Sequence, residues 1–122
     1  MTYDFILQGE TPAKKNSRIN LKNGRSIPSK RYRDWHEVAL AQLRLQLPED
    51  MQTIESPCQI VLFFTHGDLR RRDSDNGCSS IMDLLVDAGV LKDDNWQIVR
   101  QINVTNSYEK NKPSVLITIL TI

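Results

Sequence analysis

The sequence predicts an α+β fold: a small mixed β-sheet covered by two helices, in the chain order β-α-β-α-β-β. Three observations lead there. Short alternating or β-branched apolar runs open the chain, occupy its middle and close it. Two amphipathic segments with recognisable start and stop residues lie between them. With 122 residues, 39% of them hydrophobic, the chain makes one domain, residues 1–122. A chain of that size can bury roughly two thirds of its unfolded surface. Collagen-like, coiled-coil and wholly disordered classes are excluded by the same composition.

Taken in order, Thr2 to Leu7 alternates, with Tyr3, Phe5 and Leu7 on one face, and stops at Gly9. Residues 10–28 show no apolar periodicity and carry Thr11-Pro12, Asn23-Gly24 and Pro28. They read as a long basic loop or a short hairpin turning at Asn23-Gly24. Ser29 is placed to cap a helix over 29–47, stopped by Pro48, with a core stripe of Tyr32, Trp35, His36, Ala39, Leu40, Leu43 and Leu47. His36 is expected at the boundary of that stripe. Cys58 to His66 reads as a buried strand, with Phe63 and Phe64 in the core. A second helix is expected over 75–89, capped by Asp75, ended at Gly89, and packed through Ile81, Leu84, Leu85 and Ala88. Trp96 to Val104 and Pro113 to Ile122 read as closing strands joined by a turn through Tyr108 to Lys112.

The formal net charge of +1 hides a strong arrangement. Residues 10–33 hold eight basic side chains against Glu10 alone, a net of +7, and Arg70, Arg71 and Arg72 form a second basic cluster. Residues 73–94 hold six aspartates against Lys92, a net of −5. Aspartate is a poor helix former, so this block suggests placed carboxylates more than a solvated helix face. Cys58 and Cys78 are in no metal-ligand or disulfide-framework spacing. The apolar runs fall far short of the roughly 20 residues that span a bilayer, and no leader pattern opens the sequence, so a cytoplasmic protein without a membrane partner is expected.

The chemistry concentrates in Arg70 to Trp96. In an extended segment Asp73 and Asp75 would point the same way, about 7 Å apart, and could share one cation. Hard oxygen ligands select Mg²⁺, with Mn²⁺ possible, over zinc. Arginines beside such a site suit phosphates, and the metal would activate water at a phosphodiester. Alone, a D-x-D pair is also a common turn or cap. The Asp93-Asp94 pair follows the second helix, and chain reach leaves open whether Asp94 meets the first two acids within one subunit or across a dimer.

The run Arg71-Arg72-Asp73-x-Asp75-Asn76, a helix with Asp83 toward the acid cluster, Gly89 and Asp93-Asp94 closely resembles the RusA family of Holliday junction resolvases. Looser similarity covers the whole chain, including Lys14, Lys15 and Asn16 and the Tyr32-x-x-Trp35 helix. The resemblance implies a mixed α/β homodimer that binds four-way junction DNA, and a Mg²⁺-dependent endonuclease that nicks it symmetrically in recombination and repair. It implies Asp73, Asp75 and Asp94 as catalytic metal ligands, with Asp93 as their acidic neighbour. Lys14, Lys15, Asn16, Arg18, Arg25, Lys30, Arg31, Arg70, Arg71, Arg72 and Lys92 would contact DNA. The family's usual lysine, four residues after the second aspartate, is Ser79 here, which makes a branched-DNA binding protein that does not cut the second reading. Lys92 or one of the three arginines could stand in for it. Trp96, next to the acid pair, could wedge at a crossover.

Overall fold

In the computed structural model, which describes residues 1–14 and 18–122, the N-terminal alternation becomes β1 (Thr2–Gln8), with Phe5 and Leu7 buried and Tyr3 half-buried. It ends at Gly9, whose φ of +97° lies in the region that favours glycine. The basic stretch forms the small hairpin β2 (Arg18–Asn20) and β3 (Ser26–Pro28), with Gly24 at φ +81° in its turn. The expected DNA contacts Lys15 and Asn16, and the side chain of Arg18, lie outside the described residues.

Helix α1 (Lys30–Gln46) starts where expected, the Tyr32 amide donating to Ser29 Oγ at 3.2 Å. It stops at Leu47, directly before Pro48, which disfavours helical backbone at the residue preceding it. Tyr32, Ala39 and Leu43 are buried, and Trp35, His36, Leu40 and Leu47 half-buried, so the anticipated stripe is the packed face. β4 (Cys58–His66) has the bounds read from its β-branched and aromatic run. It is followed by α2 (Cys78–Asp87), β5 (Val99–Tyr108) and β6 (Ser114–Thr121).

The four long strands form one sheet in the order β1-β6-β4-β5. β6 lies antiparallel to both β1 and β4, while β5 runs parallel to β4, with α2 in the crossover that a parallel pair requires. The register aligns Phe5, Ile117 and Leu62 across three strands, and alternation then puts Leu7, Val115, Ile119, Ile60 and Phe64 on the same face. Both helices cover that face and the core lies between. The outer edge of β1 is closed by α1: Gln46 accepts from the Ile6 amide at 2.8 Å and donates to its carbonyl at 2.6 Å, and Gln42 accepts from the Gln8 amide at 2.8 Å. An edge so occupied cannot recruit another strand.

Three expectations are corrected. Phe63 is 41% exposed, because its parity puts it beside Leu116 and Ile6 on the uncovered face of the sheet. The strand expected from Trp96 begins at Val99. Asn95 bends the chain first, its side chain accepting from the Gln97 amide at 3.0 Å and its carbonyl from the Val99 amide at 2.8 Å. Trp96 is left 71% exposed under Arg100, whose guanidinium carbon is 5.5 Å from the ring centre. The second helix is also shorter than 75–89. Residues 74–77 are turns, held by the Asn76 amide on the Asp73 carbonyl and the Cys78 amide on the Asp75 carbonyl, each at 3.0 Å. Gly77, and not Asp75, precedes the first helical residue, with no side-chain cap. The far end is as expected, with Gly89 at φ +76°.

Candidate active site

That turn decides where the aspartates go. A D-x-D pair in extended backbone would project both carboxylates to one side. Folded into consecutive turns, Asp75 lines a hollow with Asn76, Ser79, Ile102 and Asp94, whereas Asp73 lines another with His66, Arg70, Arg72 and Asn106. The ten residues of α2 run only about 15 Å, and Gly89 turns the chain back, so Asp75 and Asp94 border one hollow of a single chain. Among the described residues no three acidic, histidine or cysteine side chains gather into a complete metal cage.

The electrostatics separate the six aspartates into two sets. Asp83 is ion-paired with Lys14, and Asp87 bonds His36 Nε2 at 2.8 Å. Asp93 is spent on its own turn, accepting from Asn95 Nδ2 at 2.9 Å and from the Asp94 amide at 2.8 Å. These bonds, the Asn95 amide first, hold its carboxyl below the usual range. It faces the hollow of Lys92 and Glu55, not that of Asp75. Asp73, Asp75 and Asp94 have no cationic partner among the described residues. Asp94 is raised, by partial burial first and then by the neighbouring Asp93 and Asp83. Asp93 also lacks a cationic partner among the described residues but is held in its own turn, and the other three are those that the resemblance implies as ligands.

The donor set fits a hard cation. Two carboxylates with open positions for water and phosphate oxygens are how Mg²⁺ is commonly held, in preference to a full protein cage. The one thiol in the hollow, Cys78, is pushed up by burial and then by Asp75, which keeps it neutral and a poor ligand for soft metals.

The cations are less uniform than their sequence suggests. Arg31, Arg70 and Arg72 line a hollow that shares Asn76 with the acid pair. Arg72 is committed to the protein: it pairs with Asp68 at 3.0 Å and Glu10 at 3.5 Å and donates to the Arg70 carbonyl at 3.2 Å. Arg25, Arg31, Arg70 and Arg71 are exposed. Lys30 pairs with Asp34 one turn away, and Lys92 reaches Glu55 at 3.9 Å in the hollow of Asp93. Ser79 lines the acid hollow, and among the described residues no lysine does. Asp83, anticipated on the acid cluster, is near enough to raise Asp94 but is neutralised by Lys14.

Sequence reasoning passed over Glu10, His66 and Asn106, which are bonded to one another and to the turn between the two aspartates. Strand parity is the available signal: His66 continues the inward series Leu62, Phe64, and Asn106 lies opposite Phe64 in β5.

Comparison with known proteins gives two findings. A sequence model of the family described as endodeoxyribonuclease RusA matches residues 9–120. The crossover junction endodeoxyribonuclease RusA of Aquifex aeolicus (strain VF5) is 32% identical over 106 residues, which is 87% of this chain and 81% of the relative.

Proposed function

Because the chain belongs to the RusA family of endodeoxyribonucleases, we propose that it resolves four-way DNA junctions by Mg²⁺-dependent hydrolysis of paired phosphodiesters. The observation that carries this reading is that Asp75 and Asp94, neither with a cationic partner among the described residues, line one hollow that shares Asn76 with a hollow of Arg31, Arg70 and Arg72, while Asp73 lines an adjoining one with Arg70 and Arg72. Asp75 and Asp94 would hold the cation, with Asp73 joining from the adjoining turn. Bound there, Mg²⁺ supplies Lewis acidity at the phosphate and a more acidic water. The chain's own residues do the rest: Arg31, Arg70 and Arg71 hold the DNA backbone, and the basic hairpin extends that contact with salt-sensitive affinity. A junction has approximate two-fold symmetry, so cutting two strands of like polarity calls for a homodimer with two such sites.

Asp75→Asn tests the reading. Nicking of a synthetic junction should fall by about 100-fold or more while junction binding holds or tightens, since a ligand and a negative charge beside DNA are both removed. Unaltered nicking refutes the assignment. Ser79 favours a second reading, a branched-DNA binding protein that does not cut, because the acid hollow has a hydroxyl where the family usually has an ammonium. Wild-type protein that shifts the junction with Mg²⁺ present and yields no nicked strand supports that reading.

A further inference from the structure

The turn that carries Asp73 and Asp75 is held from outside by a chain of side-chain bonds that no expected role accounts for. Asn106 Nδ2 donates to the Ser74 carbonyl at 2.8 Å, and Ser74 is the residue between the two aspartates. A carbonyl only accepts, so this bond fixes the orientation of the amide and turns Asn106 Oδ1 toward His66 Nε2, 2.8 Å away. Nε2 therefore donates. The other ring nitrogen, Nδ1, lies 3.1 Å from both carboxylate oxygens of Glu10. Glu10 is fixed in turn by the Gly67 amide at 3.1 Å and by Arg72 at 3.5 Å, and the His66 ring stacks on Phe64 at 6.3 Å. The two links from His66 Nε2 through Asn106 to the Ser74 carbonyl run one way, and Glu10 holds the ring from its other side.

We propose that Asn106 is a positioning residue for the nuclease site: oriented by His66 and Glu10, its amide holds the Ser74 carbonyl and so sets the turn that presents Asp73 and Asp75. The proposal rests on the function given above. Among the described residues Asn106 makes no hydrogen bond to either carboxylate, so it acts through the backbone between them. The bond spans 32 residues and ties the turn to the outer strand β5. Without it, the turn keeps its short-range bonds alone among the described residues, and Asp75 loses the orientation that sets it in one hollow with Asp94. Outer bonds of this kind typically contribute about 10- to 100-fold in metal affinity.

Two substitutions separate the parts of the chain. Asn106→Asp keeps the shape and still accepts from His66, but cannot donate to Ser74. Asn106→Ala removes both links. For each, the Mg²⁺ concentration giving half-maximal junction nicking is measured, together with the Mn²⁺ concentration giving half of the metal-dependent rise in Tm without DNA. Both midpoints should rise about tenfold, with nicking largely restored at saturating Mg²⁺ and with Tm in EDTA near that of the wild type. The sign is informative for Asn106→Asp, because an added carboxylate acting only as a charge would lower the midpoints. Wild-type midpoints in both variants overturn the inference, as does a loss of nicking that excess Mg²⁺ leaves in place. Wild-type protein that neither nicks nor gains stability with either metal overturns the nuclease reading, and the inference with it.

Discussion

Gly77 sits where the acid-bearing turn meets the sheet, and adding one methyl there should disturb both stability and metal binding. An alanine Cβ at this position would lie 2.9 Å from Phe64 Cε1, 2.9 Å from Thr11 Cγ2 and 3.1 Å from Thr11 Cβ. Carbon atoms attract best at about 3.5–4.0 Å, so something must move by several tenths of an ångström. Neither neighbour yields easily: Phe64 is a buried ring in the central strand β4, and Thr11 is buried and β-branched. The backbone itself is not strained, since φ is −98°. The whole penalty is therefore overpacking, about 1–3 kcal/mol. For a chain of 122 residues each kcal/mol moves Tm by roughly 4 °C, so Gly77→Ala should melt about 4–12 °C lower. The turn would be pushed off the sheet, taking Asp75 with it, so on the proposed function the rise in Tm on adding Mg²⁺ should be smaller as well. Thermal unfolding of a double-mutant cycle isolates the cause: Thr11→Ser deletes the Cγ2 methyl and should be worth at least 0.5 kcal/mol more in the Gly77→Ala background than in the wild type (a coupling at the low end of the range for contacting residues, on the order of 0.5–3 kcal/mol). Equal Tm values for Gly77→Ala and wild type, or additive effects with Thr11→Ser, would refute the packing argument.

Two further outcomes concern the supports of the site. Burial, with Asp83 and Asp87 facing the ring, pushes the Tyr32 phenol from 10.0 up to about 12. A group raised in the folded state leaves stability intact below its unfolded value and withdraws it as pH climbs toward the folded one, here between 10 and about 12. Tyr32→Phe should abolish about 2–3 kcal/mol of that alkaline loss, and parallel urea-unfolding curves of variant and wild type from pH 9 to about 12 would contradict it. Ser80 is fully buried and donates to the Pro12 carbonyl at 2.6 Å, holding the strand-to-loop segment on α2. Ser80→Ala leaves that carbonyl unpaired, and equilibrium unfolding should show about 1–3 kcal/mol lost, with a change under about 0.5 kcal/mol counting against the bond's importance.

Segments whose period is set by their own burial were legible. β4 and α1 are bounded within a residue of where alternation and capping put them, because the pattern that packs them is local. The hairpin at Asn23-Gly24 is one of the two alternatives that its turn residues left open, and its two short strands were not counted in the expected order. The start of α2 was not legible, because Asp75 satisfies the composition rule for a cap while the Cys78 amide goes to its carbonyl and not its side chain. The insertion of β6 between β1 and β4 depends on which faces pair, and no spacing encodes it. Within the site, the residue types were legible and their directions were not. Asp93 and Asp94 are neighbours that face different hollows, and Arg72 resembles Arg71 in sequence but is held by Glu10 and Asp68. Those partners lie across the fold, as does the Glu10–His66–Asn106 chain, whose links span 56 and 40 residues.

The near-neutral charge acquires a spatial meaning from these pairings. An acidic centre of −5 would repel a phosphate backbone if all its carboxylates were open to it. Lys14 neutralises Asp83 and His36 hydrogen-bonds Asp87 on the side of α2 that faces α1, and Asp93 is held in its own turn. Of the carboxylates left without a cation or a turn of their own to hold, Asp75 and Asp94 line a hollow with Asn76. Asn76 is also a wall of the hollow that Arg31 and Arg70 line. Positive and negative surfaces therefore adjoin at Asn76, as they do where Asp73 lines a hollow with Arg70 and Arg72, and a polyanion held by the arginines would be brought to the edge of the acids. Closing the remaining gap requires a counter-charge from outside the protein, which is the condition under which a divalent cation and a phosphodiester would enter the site together.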